Sequence, residues 1–191
     1  MIYDIHLSVM LVLYAVILGC LIFYYRIRKQ KKRKILIWRC LFALYILLLI
    51  KVTIFPITFT HFEWMEDTSY LAVQLEPFKS IVSMVKHKNY IQITGNIILL
   101  MPLPLLLQGI KDQMFSRMKC FVSVCAASLV IEVLQLGINL LTGVRNRVFD
   151  VDDLILNISG GILLMILYKP INYAAKGVVS YIAGEGLKNN D

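Results

Sequence analysis

Glu132, Gln135 and Asn139 recur at intervals of three and four within an apolar stretch, so on a helix they share one face. A second group, Asp150, Asp153 and Asn157 followed by Gly160 and Gly161, keeps a similar spacing and is expected to align in the same way. Arg145, Arg147 and Asp152 flank it as a charged rim. Two kinds of chemistry fit these residue types. In one, Glu132 or Asp153 serves as general base, Arg147 holds an anion, and Asn96 or Asn157 orients a substrate. In the other, Asn96, Glu132, Gln135, Arg147, Asp150, Asp153 and Asn157 form a binding site without turnover.

Asp150, Asp152 and Asp153 with Glu132 and Asn157 also offer oxygen ligands for Mg²⁺ or Ca²⁺. The nearby arginines compete for those carboxylates, so the reading is that neither a metal nor a cofactor is held. His6, His61 and His87 are scattered, which supports neither zinc nor a serine-type triad, and no glycine-rich phosphate loop occurs.

The elements that must position these groups follow from composition. Of 191 residues, 59% are hydrophobic and 17% charged, too apolar for an ordinary soluble domain. The fold class is therefore all-α, a polytopic membrane helical bundle of about five transmembrane helices, each needing roughly 20 apolar residues. Spans are expected at Ile5–Tyr25, at Ile35–Phe55 ending before Pro56, at Ile91–Leu107 with a kink at Met101-Pro102-Leu103-Pro104, at Cys120–Leu141 and at Asp153–Tyr168. Between the second and third, Pro77 followed by Phe78, Ile81, Val82 and Val85 has the stripe of an interfacial amphipathic helix, with Glu76 placed to favour its N-terminus.

The net charge of +8 does not point to nucleic acid, because the basic residues cluster between apolar runs. Seven lie in Arg26–Lys34, three in Lys111–Lys119 and three in the tail from Lys169, against five (Lys79, Lys86, Lys88, Arg145 and Arg147) on the opposite side of five alternating helices. The positive-inside rule then places the polybasic loop and C-terminus in the cytoplasm and the N-terminus outside. In that frame Lys51, Asn96, Gln135 and Asn157 lie about 6 to 10 Å below the outer boundary, with Glu132 slightly deeper. A charge at such depth costs roughly 2.5 to 3.5 kcal/mol, so the layer is informative. The plainer reading is that these groups satisfy one another, with Lys51 or Arg147 pairing Glu132 or an aspartate, or Lys51 snorkelling to the surface. Cys20, Cys40, Cys120 and Cys125 read as small core residues.

Leu75-Glu-Pro-Phe-Lys79, Asn96-Ile-Ile-Leu-Leu-Met-Pro102, Glu132-Val-Leu-Gln135 and Arg147-Val-Phe-Asp-Val-Asp-Asp-Leu-Ile-Leu-Asn157-Ile-Ser-Gly-Gly161 together resemble the VanZ-like family. The resemblance covers Leu75 to Leu167. It places the family's polar pattern on Asn96, Glu132, Gln135, Arg147, Asp150, Asp153, Asn157 and Gly161, with Pro104 where the family often has glycine. It implies a bacterial cytoplasmic-membrane protein and three parts: an N-terminal hairpin (1–60), a VanZ-like membrane domain (61–170) and a cytoplasmic tail (171–191). The namesake is associated with resistance to teicoplanin, a glycopeptide antibiotic. Expected partners are membrane lipids and, through the polar layer, a lipid-linked envelope precursor or a glycopeptide-type antibiotic.

Overall fold

The structure, a computed structural model, describes residues 2–27, 33–59, 72–111 and 116–167. It is mostly helical. Helix α1 (Leu7–Ile27) and helix α2 (Arg33–Ile54) are followed by α3 (Lys79–Lys86), α4 (Tyr90–Leu100), α5 (Leu103–Ile110) and α6 (Arg117–Thr142), and the chain is helical again through residues 151–167, here α7. Four segments among the described residues are long and apolar enough to cross a membrane: Leu7–Ile27, Arg33–Ile54, Tyr90–Ile110 and Arg117–Thr142.

The two prolines act where expected. Pro102 and Pro104 each lack an amide proton, and the third apolar segment breaks between Leu100 and Leu103 into α4 and α5. Tyr45 of α2 donates to the Leu99 carbonyl at 2.9 Å beside the break. Leu100, Leu103, Val124 and Ile131 form the buried core, with Phe42, Tyr45 and Leu49 of α2 packed against it. Cys120 is buried, whereas Cys20 is exposed on α1, so the expectation of four core cysteines does not hold for it.

Two strand pairs of two residues each tie one end of the bundle together. Strand β1 (Ile2–Tyr3) pairs antiparallel with β2 (Ile57–Thr58), which sets the start of α1 beside the end of α2. Strand β3 (Val73–Gln74) pairs parallel with β4 (Phe149–Asp150), which brings the segment before α3 against the entry to α7. Asp150 is thus a strand residue and not part of the helical face running through Asp153 and Asn157. Lys51 pairs with neither Glu132 nor the rim aspartates. Its ammonium binds Asp4 at 2.8 Å and the Ile5 carbonyl at 2.6 Å, because β1–β2 pairing carries the N-terminal segment over the end of α2. The Asp4 carboxyl is held below its usual value chiefly by that hydrogen bond.

Close helix approach depends on two glycines of α7. A Cβ on Gly160 would sit 1.7 Å from the Ile97 carbonyl oxygen of α4, and one on Gly161 would sit 2.7 Å from a Val124 methyl of α6. Both rows of contact leave room only for hydrogen, as small residues do at membrane helix interfaces.

Candidate functional site

The polar face of α6 turns inward. Glu132 and Asn139 are 1% and 0% exposed, while Leu129, Val130, Val133 and Leu134 are exposed on the outer side. A carboxylate and an amide have no water to fall back on within an apolar layer, so their orientation is dictated by the partners available in the bundle. Asn139 closes the turn after α6: its carbonyl oxygen accepts from the Asn146 and Arg147 amides at 2.9 and 3.2 Å, and its amide donates to the Arg147 carbonyl at 2.6 Å. Asn146 in turn joins that turn to β2, accepting from the Thr58 amide at 2.6 Å.

From this scaffold a relay of carboxylates meets successive backbone amides. Glu132 accepts from the Asp150 amide at 3.0 Å, and Asp150 accepts from the Asp152 amide at 2.9 Å. Asp152, fully buried, accepts from the amides of Phe78, Ser80 and Ile81 at 2.5, 2.7 and 3.0 Å. The anion at the start of α3 is therefore Asp152 of α7, while Glu76 pairs with Lys79 at 2.9 Å and Pro77 lies before the helix. Phe78 adopts a left-handed φ of 67°, an unfavourable conformation for an aromatic residue, at the point where its amide meets Asp152.

Asp153 accepts from the Asn96 amide of α4, and Gln135 donates to the Thr53 carbonyl of α2 at 2.9 Å. Around these groups opens a cavity of about 780 Å³. Asn96, Glu132, Gln135, Arg147, Asp150, Asp153 and Asn157 all line it, as do Ser80, Ser83 and Met84 of α3 and His87 just past its end. Gly161, also part of the expected pattern, packs against Val124 instead. Polar lining residues that the sequence reading did not select include Ser80 and Ser83 of α3, Gln92 of α4, and His87, Asn89 and Asn146 in the connections. The helical stripe of α3 pointed to its apolar side, and the polar side opposite was the available signal.

One feature of the site differs from expectation. Arg147 does not bridge the acids: its guanidinium makes long contacts of 3.4 and 3.5 Å to the carbonyls of Val52 and Phe55 at the end of α2. The turn locked by Asn139 sets it against the end of α2. The ion pairs among the described residues join Lys51 to Asp4 and Lys79 to Glu76, and neither reaches Glu132, Asp150 or Asp153. Among the described residues no group of three or more His, Cys, Asp or Glu side chains is arranged to hold a metal ion.

One acceptor is left over. The side-chain oxygen of Asn157, in a residue 1% exposed, has no hydrogen-bond partner. A buried amide oxygen without a donor costs roughly 1 to 3 kcal/mol, so it marks a place where a donor belongs.

The model of the VanZ/LLP1 family matches residues 42–173, which takes in most of α2 together with everything that lines the cavity. No curated protein and no solved structure matches the chain.

Proposed function

The chain belongs to the VanZ/LLP1 family, a membrane protein by its apolar helices, and we propose that it binds the headgroup of an envelope lipid or lipid-linked saccharide in the cavity between α2, α3, α4, α6 and α7. The observation that carries this reading is the cavity itself: about 780 Å³ lined by both carboxylates and arginines at one end of an apolar bundle. A space of that size takes a headgroup, and its position at a bundle end lets acyl chains remain in lipid. In this reading α7 is a fifth span, and the distribution of Lys and Arg puts the cavity on the outer face with the C-terminus inside. Helix α3 then lies along the outer interface, with Phe78, Val82 and Val85 exposed toward acyl chains and Met84 buried toward the cavity. A glycopeptide-type antibiotic that engages the same envelope molecules would meet the protein on this face, and a link to resistance follows from that encounter.

Glu132 and Asp153 also line the cavity together, which supports a second reading in which one of them is general base for a change to the bound headgroup. One experiment addresses both. The purified protein in lipid nanodiscs is given labelled envelope lipids, with binding and product followed in parallel. Saturable binding weakened by Glu132→Gln and Arg147→Ala, without product, supports the binding reading. Product lost in both Glu132→Gln and Asp153→Asn supports the enzyme. Neither binding nor product for any lipid or lipid-linked saccharide rejects both.

A further inference from the structure

The cavity lining holds two chemically distinct groups of residues. One group offers open acceptors. Asn157 presents its unpartnered oxygen, Glu132 has one oxygen not engaged by the Asp150 amide, and Asp153 has one not engaged by Asn96. In the other group, Arg147 hydrogen-bonds, among the described residues, only the Val52 and Phe55 carbonyls, at 3.4 and 3.5 Å, and Arg145 is also in the lining. A guanidinium carries five N–H donors in a planar fork suited to phosphate, and these contacts engage one of its nitrogens weakly.

Resting on the headgroup-binding reading, we infer that the ligand is a zwitterion of the phosphoethanolamine type, with its primary ammonium seated among Glu132, Asp153 and Asn157 and its phosphate on Arg147. Two requirements select this class. The acceptor group needs N–H or O–H donors, and a primary ammonium brings three, matching the three open acceptors. The same group holds carboxylates that no lysine, arginine or histidine among the described residues pairs at 4.0 Å or less, so the donor must also bring positive charge. Hydroxyl groups meet the first requirement alone. A quaternary ammonium meets the second alone, since its nitrogen has no hydrogen. The phosphate end meets the opposite demand at Arg147, so a headgroup of this class answers both groups of lining residues.

The test uses the intact protein in nanodiscs of phosphatidylcholine doped with fluorescent lipids: phosphatidylethanolamine, its mono- and dimethylated forms, labelled phosphatidylcholine and phosphatidylglycerol. Affinity is expected to fall stepwise with each N-methyl group and to be about tenfold or more weaker for phosphatidylcholine and phosphatidylglycerol. Glu132→Gln, which keeps an acceptor for the Asp150 amide, and Asn157→Leu should each erase most of that preference by weakening phosphatidylethanolamine binding toward the phosphatidylcholine level. The wild-type methylation series stands even where a variant fails to fold. Competition by glycerophosphoethanolamine as strong as by the diacyl lipid would assign the same chemistry to a soluble source, and weak competition would assign it to a membrane lipid. Equal affinity across the methylation series overturns the inference while sparing the headgroup reading. Absence of saturable binding for every lipid and lipid-linked saccharide overturns the headgroup reading instead.

Discussion

The Asp152 carboxylate accepts the Ser80 amide at 2.7 Å, joining the first turn of α7 to the first turn of α3 across 72 residues of sequence. Its two oxygens also take the Phe78 and Ile81 amides. The short helix that walls the cavity is thus anchored by an anion from the element beneath it, an arrangement that combines helix capping with the favourable placement of negative charge at a helix N-terminus.

Asp152→Ala should release that anchor. The loss is expected at about 2 kcal/mol or more, because three amides lose a charged acceptor at a buried site. Hydrogen exchange should speed up at residues 78–86 before the rest of the bundle responds, and unchanged protection there would refute the anchoring role.

Gly160→Ala should be poorly tolerated, since the added carbon meets backbone at 1.7 Å and only separation of α4 from α7 relieves it. A cost of about 2 kcal/mol or more is expected from overpacking of this kind. Gly161→Ala faces a side chain at 2.7 Å, which can shift, and should cost less. Gly19→Ala and Gly137→Ala meet nothing within 4 Å and serve as controls. Thermal unfolding in detergent should rank the four in that order.

Asn139→Leu removes the acceptor for two amides and the donor for one carbonyl in the turn that carries Arg147. Stability should drop by about 2 to 3 kcal/mol through unsatisfied buried groups. Arg147→Ala, in contrast, breaks only long contacts to two carbonyls and should cost under about 1 kcal/mol, while removing most of the affinity for the headgroup phosphate. If Arg147→Ala unfolds the protein as readily as Asn139→Leu, the guanidinium has a structural role that its contacts do not reveal.

Orientation is checked by cysteine labelling in intact cells. In a background lacking the four native cysteines, an impermeant maleimide should reach a cysteine placed at Lys88 and fail to reach one at Lys34. The reverse pattern would put the cavity on the cytoplasmic side and remove the envelope reading.

How far the sequence alone reached is clearest at α6. An apolar run with Glu132, Gln135 and Asn139 on one face has a single tolerable orientation in lipid, because ionic and amide groups must avoid hydrocarbon. The positions of the helices, the proline break and the inward turn of this face follow from periodicity and transfer free energy. So does the meeting of Asn96, Glu132, Gln135, Asp153 and Asn157 around one space, since each had to face inward at a similar depth. Partners were a different matter. Lys51 found Asp4, Asp152 found α3, and Arg147 found the end of α2 rather than the acids. These choices depend on two strand pairs of two residues each and on a turn locked by Asn139, features with little signature in a linear sequence. Periodicity decides which face a residue occupies because burial acts along one helix. Which group it meets there is decided by segments brought together from distant parts of the chain, and only the tertiary structure contains that juxtaposition.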